Sequence, residues 1–116
     1  MTNHARNGRA REHRVSARMA KRGWRQIMRA AGSKGSGDLL MAHPVHGAAL
    51  VQVGTEGKAL GPADRARFVG DAHAIGALPL LVRTSRTGVQ IHEVTLDTPA
   101  HWPVFTGETD MKENRA

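Results

Sequence analysis

Two apolar runs joined by a short turn constrain this chain more than any other feature. The first is Asp38-Leu39-Leu40-Met41-Ala42 and the second Ala48-Ala49-Leu50-Val51-Gln52-Val53, with His43-Pro44-Val45-His46-Gly47 between them. Runs of this length about a turn containing Pro and Gly predict a β-hairpin. Folding about that turn sets Asp38 opposite Gln52 or Val53. Side chains alternate along a strand, so Asp38, Leu40 and Ala42 share a face, as do Ala48, Leu50 and Gln52. A carboxylate heading an apolar strand is costly to bury without a partner or a metal. Asp38 is therefore the first candidate functional residue.

The flanking segments say what packs on the hairpin. From Arg6 to Arg22 the periodicity is helical, with Glu12, Val15, Ser16, Met19 and Gly23 on one stripe and Arg11, Arg14, Arg18, Lys21 and Arg22 opposite. Glu12 is the unexpected member of the inward stripe. Its plain structural reading is an Arg-paired acid near a helix start, where the helix dipole favours negative charge. Gly23 stops the helix, Trp24 to Met28 reads as a strand, and Ser33 to Gly37 is a Gly/Ser loop. Gly54 to Gly61 reads as a mobile glycine-rich loop over the site.

Pro62 and Asp64 start a second helix whose stripe is Phe68, Val69, Ala72 and Ile75 and which Gly76 ends. Leu78 to Val82 suits a strand buried on both faces, and strand–helix–strand implies a parallel crossover beside the hairpin. Thr84 to Gly88 reads as a turn and Val89 to Val94 as an edge strand. The expected fold is α/β, a central mixed β-sheet flanked by α-helices. Residues 1–5 form a flexible start, 6–96 a single domain, and 97–116 a tail whose Trp102 and Phe105 tuck against the body.

Charge is unevenly spread. Residues 1–30 carry nine Arg and Lys against one acid, Glu12, whereas the remainder carries eight against nine. Such asymmetry points to a polyanion, most simply nucleic acid, with a solvated helix face as the bland alternative. Aromatic residues are 3% of the chain and Tyr is absent, which disfavours base-stacking platforms and favours contact with phosphates. With no cysteine there is no disulfide framework or thiolate zinc site, and a reducing, cytoplasmic setting is expected. No apolar run approaches the ~20 residues of a membrane span. His43 and His46 read as surface turn residues; His73, His92 and His101 read as ordinary surface or half-buried positions.

Four motifs occur in order on these elements: Gly8-x-x-x-Glu12 on the first helix, Gly23-Trp24 before the first strand, Ser33-Lys34-Gly35 ahead of Asp38, and Val51-Gln52-Val53-Gly54 on the second hairpin strand. Together they resemble the PD-(D/E)XK nuclease superfamily, and within it the Holliday junction resolvases of the archaeal type and their phage relatives, over roughly residues 8 to 95. The resemblance implies a restriction-endonuclease-like fold and a metal-dependent endonuclease that hydrolyses phosphodiester bonds in branched DNA. The cofactor it implies is Mg2+ or Mn2+, held by oxygen ligands. It also implies a homodimer in a bacterial, archaeal or phage-infected cell.

Carried over by position, Asp38, Gln52 and the carbonyl of Val53 are metal ligands. Glu12 is an outer ligand and Ser33 a phosphate or water contact. Arg11, Arg14, Arg18, Arg22, Arg29 and Lys34 are the nucleic-acid contacts. Two positions depart from the family pattern: Gln52 stands for a Glu, and Gly54 for a Lys. Reading Glu56-Gly57-Lys58 as the displaced pair puts Glu56 ~13 Å past Gln52 along an extended strand, too far to face Asp38. A loop that folds back would bring in Lys58, with Lys34 the second candidate. A catalytically inactive nucleic-acid-binding module on the same fold is the alternative reading.

Overall fold

The computed structural model describes residues 4–29, 38–55, 60–85 and 88–105. Helix α1 (His4–Ala20) is followed by β1 (Arg25–Arg29), β2 (Leu39–His43), β3 (Gly47–Thr55), α2 (Pro62–Ala74), β4 (Leu78–Ser85), β5 (Gly88–Glu93) and a 3-10 turn at Pro99–His101. One sheet runs in the order β1-β2-β3-β4-β5. The pairs β1·β2, β2·β3 and β4·β5 are antiparallel, and β3·β4 is parallel. The expected mixed α/β architecture and the parallel crossover are thus present.

Alternation along the strands divides the core between the two sheet faces. Val15, Met19 and Trp24 pack on Leu39, Met41, Ala49, Val51, Leu80, Val82 and Ile91. On the other face Leu60, Phe68 and Val69 pack on Leu81, Val94 and Trp102. Val15 and Met19, four residues apart on α1, are both fully buried, while Arg14 and Arg18 are exposed. Gly23, at φ 96°, makes the left-handed turn out of α1 that a side chain would strain.

Several boundaries differ from the sequence expectation, each for a visible reason. Trp24 lies before β1 and is buried, whereas all five β1 residues are exposed and the register shifts between Gln26 and Met28. β3 does not end at Val53, because Gly54 and Thr55 pair with Arg83 and Thr84. β4 likewise continues through Thr84 to Ser85, paired with Gly88, so the turn expected from Thr84 is shorter. Ile75 caps α2 with non-helical φ and is 56% exposed. The buried partner of Phe68 and Val69 on that helix is instead Arg65, which donates to the Leu60 carbonyl at 2.9 Å.

The segment after β5 is tied to the sheet. Glu93 N–H donates to the Pro103 carbonyl, Phe105 N–H donates to the Ile91 carbonyl, and His92 and Val104 form a bridge. Trp102 is buried, with its indole N–H on the Asp97 carbonyl at 3.0 Å. Trp102 and Phe105 therefore do tuck against the body.

Candidate active site

The antiparallel register ends at the Leu39–Val51 pair, so Asp38 lies at the mouth of the hairpin, bonded to the Val51–Val53 stretch of β3. Asp38 N–H donates to the Val51 carbonyl at 2.7 Å, and its Oδ2 accepts the Val53 N–H at 2.8 Å. This bond orients the Asp38 carboxylate. In an antiparallel ladder the N–H and C=O of one residue leave the strand on the same side. The Val53 carbonyl thus projects toward the Asp38 strand. Gln52 is half-buried, and its Oε1 is buried with no hydrogen-bond partner among the described residues. A buried unpaired acceptor is destabilising, and an amide oxygen is a donor type that a hard cation takes.

These three oxygens fit a hard divalent ion by donor type. By charge the set is poor, since Asp38 alone is anionic. Among the described residues there is no group of three or more His, Cys, Asp and Glu that would hold a metal ion. Glu12, expected as the outer ligand, has its carboxylate engaged by the Arg29 guanidinium. Its side chain is 15% exposed, and it lines a groove of about 150 Å³ with Arg9, His13, Gln26, Arg29 and Leu39. Arg29 pairs in register with Leu39, the neighbour of Asp38. The groove therefore adjoins the hairpin mouth, and neither Asp38 nor Gln52 lines it.

Of the expected nucleic-acid contacts, Arg14 and Arg18 lie exposed on α1, Arg29 on β1, and Arg11 and Arg22 are half-buried. Burial, reinforced by the Arg18 charge, lowers the pKa of Arg22. Ser33, Lys34 and Lys58 lie outside the described residues. Gly54 is buried in β3 and carries no ammonium; its partner across the parallel pair is Arg83. The Arg83 guanidinium is 3.2 Å from His92 Nδ1 and 5.9 Å from the centre of the Trp102 ring. Sequence reasoning passed over Arg83 because the strand was ended at Val82. The run Leu80-Leu81-Val82-Arg83-Thr84, without Gly or Pro, was the signal that it continues.

His43 is the clear correction among the histidines. It is buried, not a surface turn residue. Its Nδ1 accepts the N–H groups of Val45 and His46 at 3.0 and 3.3 Å, and its Nε2 lies 3.0 Å from the Arg22 carbonyl. The ring thus fastens the β2–β3 turn to the end of α1, in tilted contact with the rings of Trp24 and His46. Alternation alone places it there, since His43 shares the inward face of Leu39 and Met41.

The five-stranded mixed sheet with helices packed on both faces has a counterpart among solved structures. A solved structure with this arrangement is Hjc, a Holliday junction resolvase from the hyperthermophile Archaeoglobus fulgidus. It superposes with a TM-score of 0.63 at 17% identity, covering 74% of this chain and 76% of that one. No family model and no curated protein matches the sequence. No helix among the described residues is long and apolar enough to cross a membrane.

Proposed function

We propose that this protein is a divalent-metal-dependent endonuclease that acts on branched DNA. The observation that carries the proposal is the Asp38 carboxylate fixed on the Val53 N–H at the mouth of the β2–β3 hairpin, where the neighbouring Gln52 has a buried Oε1 without a hydrogen-bond partner among the described residues. Asp38, Gln52 and the Val53 carbonyl would hold Mg2+ or Mn2+. When bound, such an ion activates water and stabilises charge on a phosphodiester under attack.

The chain's own part is binding and placement. Arg14, Arg18 and Arg29 hold phosphates on the α1 side, and the Val53 N–H fixes the Asp38 carboxylate. Ser33 and Lys34 supply further phosphate contacts, and Lys58 supplies the cation absent at Gly54. Cleavage of two strands related by symmetry calls for a homodimer. The test is nicking of four-way-junction DNA with Mg2+ or Mn2+, with Asp38→Asn as control. No cleavage by wild type with either ion refutes it.

One observation favours a second reading, a catalytically silent DNA-binding module. The described part of the site has a single negative charge and no ammonium, so binding without cleavage is its signature.

A further inference from the structure

We infer that the groove between α1 and β1 is a seat for one phosphodiester, and that Glu12 is the internal anion which occupies it until DNA arrives. The inference rests on the nucleic-acid reading above for its ligand, and not on cleavage.

Three observations converge on it. Arg9, Glu12 and His13 stand at i, i+3 and i+4 on α1, so they share one side of the helix. Gln26 and Arg29 come from β1, and Leu39 supplies an apolar wall from β2. The space of about 150 Å³ is several times the ~30 Å³ share of one water, enough for a phosphate group. Its donors are a guanidinium on each side, an imidazole and a carboxamide, the residue types that bind phosphate oxygens.

Glu12 is the only acid among the described residues that line the groove, and it takes the Arg29 guanidinium. Arg9 and Arg29 against Glu12 leave the groove net positive. A phosphodiester offers Arg29 two non-bridging oxygens that a guanidinium can bind as a fork, as it binds the two oxygens of a carboxylate. The two anions cannot both be close to one guanidinium without repulsion. Entry of a phosphate therefore displaces Glu12, and the exposed β1 strand leaves the groove open to a backbone passing along the sheet edge. Because Arg29 is in register with Leu39, a phosphate held there lies beside the strand that Asp38 heads. The Glu12–Arg29 pair then acts as a latch. It reduces affinity for stray anions and yields to a DNA strand whose neighbouring phosphates meet the rest of the basic face.

The experiment measures binding of a short unbranched DNA duplex by anisotropy in metal-free buffer. Inorganic phosphate is titrated in parallel and followed by backbone amide NMR. Glu12→Gln, which keeps the shape and removes the charge, should tighten duplex binding about five-fold, roughly the worth of one partly exposed ion pair. Arg29→Ala should weaken it by about ten-fold, and Arg29→Lys by less, since lysine keeps the charge and loses the fork. The double variant should follow Arg29→Ala. Phosphate should shift the amides of His13, Gln26 and Arg29, and not in Arg29→Ala.

Unchanged or weaker duplex binding by Glu12→Gln overturns the latch. Absence of phosphate shifts in the groove overturns the seat. If phosphate shifts these amides while no duplex binds, the groove stands as an anion site and the nucleic-acid reading fails. The amide spectrum of each variant shows that it is folded, and Arg29→Lys serves if Arg29→Ala is not.

Discussion

Asp38 holds Val53 across the mouth of the β2–β3 hairpin, its Oδ2 accepting the Val53 backbone N–H at 2.8 Å. One side chain thereby closes the ladder where β2 begins and sets a negative charge beside Gln52. The two roles separate by substitution. Asp38→Asn keeps an oxygen for the Val53 N–H, so it should stay folded with DNA binding largely intact while cleavage of junction DNA is lost. Asp38→Ala should in addition destabilise by about 1–2 kcal/mol, because a strand N–H loses its acceptor. Chemical denaturation and a nicking assay on both variants check this, and full activity in Asp38→Asn would sink the assignment of the site.

Gln52 gives a prediction of opposite signs with and without metal. Its Oε1 is buried and has no hydrogen-bond partner among the described residues. Replacing it with Leu should therefore leave metal-free stability unchanged or raise it by up to about 1 kcal/mol, and should abolish stabilisation by Mg2+ or Mn2+. Gln52→Glu should do the reverse, lowering stability without metal through repulsion by Asp38 and enlarging the gain when the ion is added. Melting curves at increasing Mn2+ concentration read both. A wild-type melting temperature insensitive to every divalent ion, with Gln52→Glu equally insensitive, would remove the metal from the proposal.

Much of this arrangement was legible because its signals are local. The hairpin, its turn and the place of Asp38 across from Val53 follow from period-two alternation about Pro44 and Gly47. The buried stripe of α1 follows from Val15 and Met19, and the start of α2 from Pro62. What was not legible depends on neighbours distant in sequence. Gly54 and Thr55 look like loop residues until β4 is placed beside them, and Arg83 acquires its position only through that pairing. His43 looks exposed by composition, and is buried because α1 ends beneath it with the Arg22 carbonyl facing its ring. Glu12 was correctly placed on the inward stripe, but its partner came from β1, across a segment whose pairing no periodicity encodes.

The basic surface of α1 makes a prediction about salt. Arg14 and Arg18 are exposed on α1. Substituting both with Gln should leave the melting temperature within about 1 °C and weaken DNA binding. Each lost phosphate contact should lower the slope of log affinity against log salt by roughly 0.9. Titrations at several salt concentrations test this. An unchanged slope would assign these residues to solubility alone.

The pH dependence of stability follows from His43. With Nδ1 accepting two turn N–H groups, the proton sits on Nε2, which donates to the Arg22 carbonyl. A second proton on Nδ1 would point at those two donors and break the turn. Burial lowers the pKa of His43 below its ordinary 6.5; the Arg22 carbonyl raises it by less, and His46 lowers it further. The folded protein therefore binds this proton more weakly than the unfolded chain. The stabilisation is fully present above about pH 6.5, and it is lost progressively as pH falls below that value toward the lower folded pKa. His92, whose pKa burial and the Arg83 charge also lower, contributes with the same sign. Melting temperature recorded from about pH 8 to about pH 5 should be flat at first and then fall. His43→Gln should start lower, having lost the paired turn contacts, and show a shallower decline whose remainder His92→Gln reduces. A decline of the same steepness in His43→Gln, or a wild type that gains stability in acid, would show that the ring is not the group that titrates.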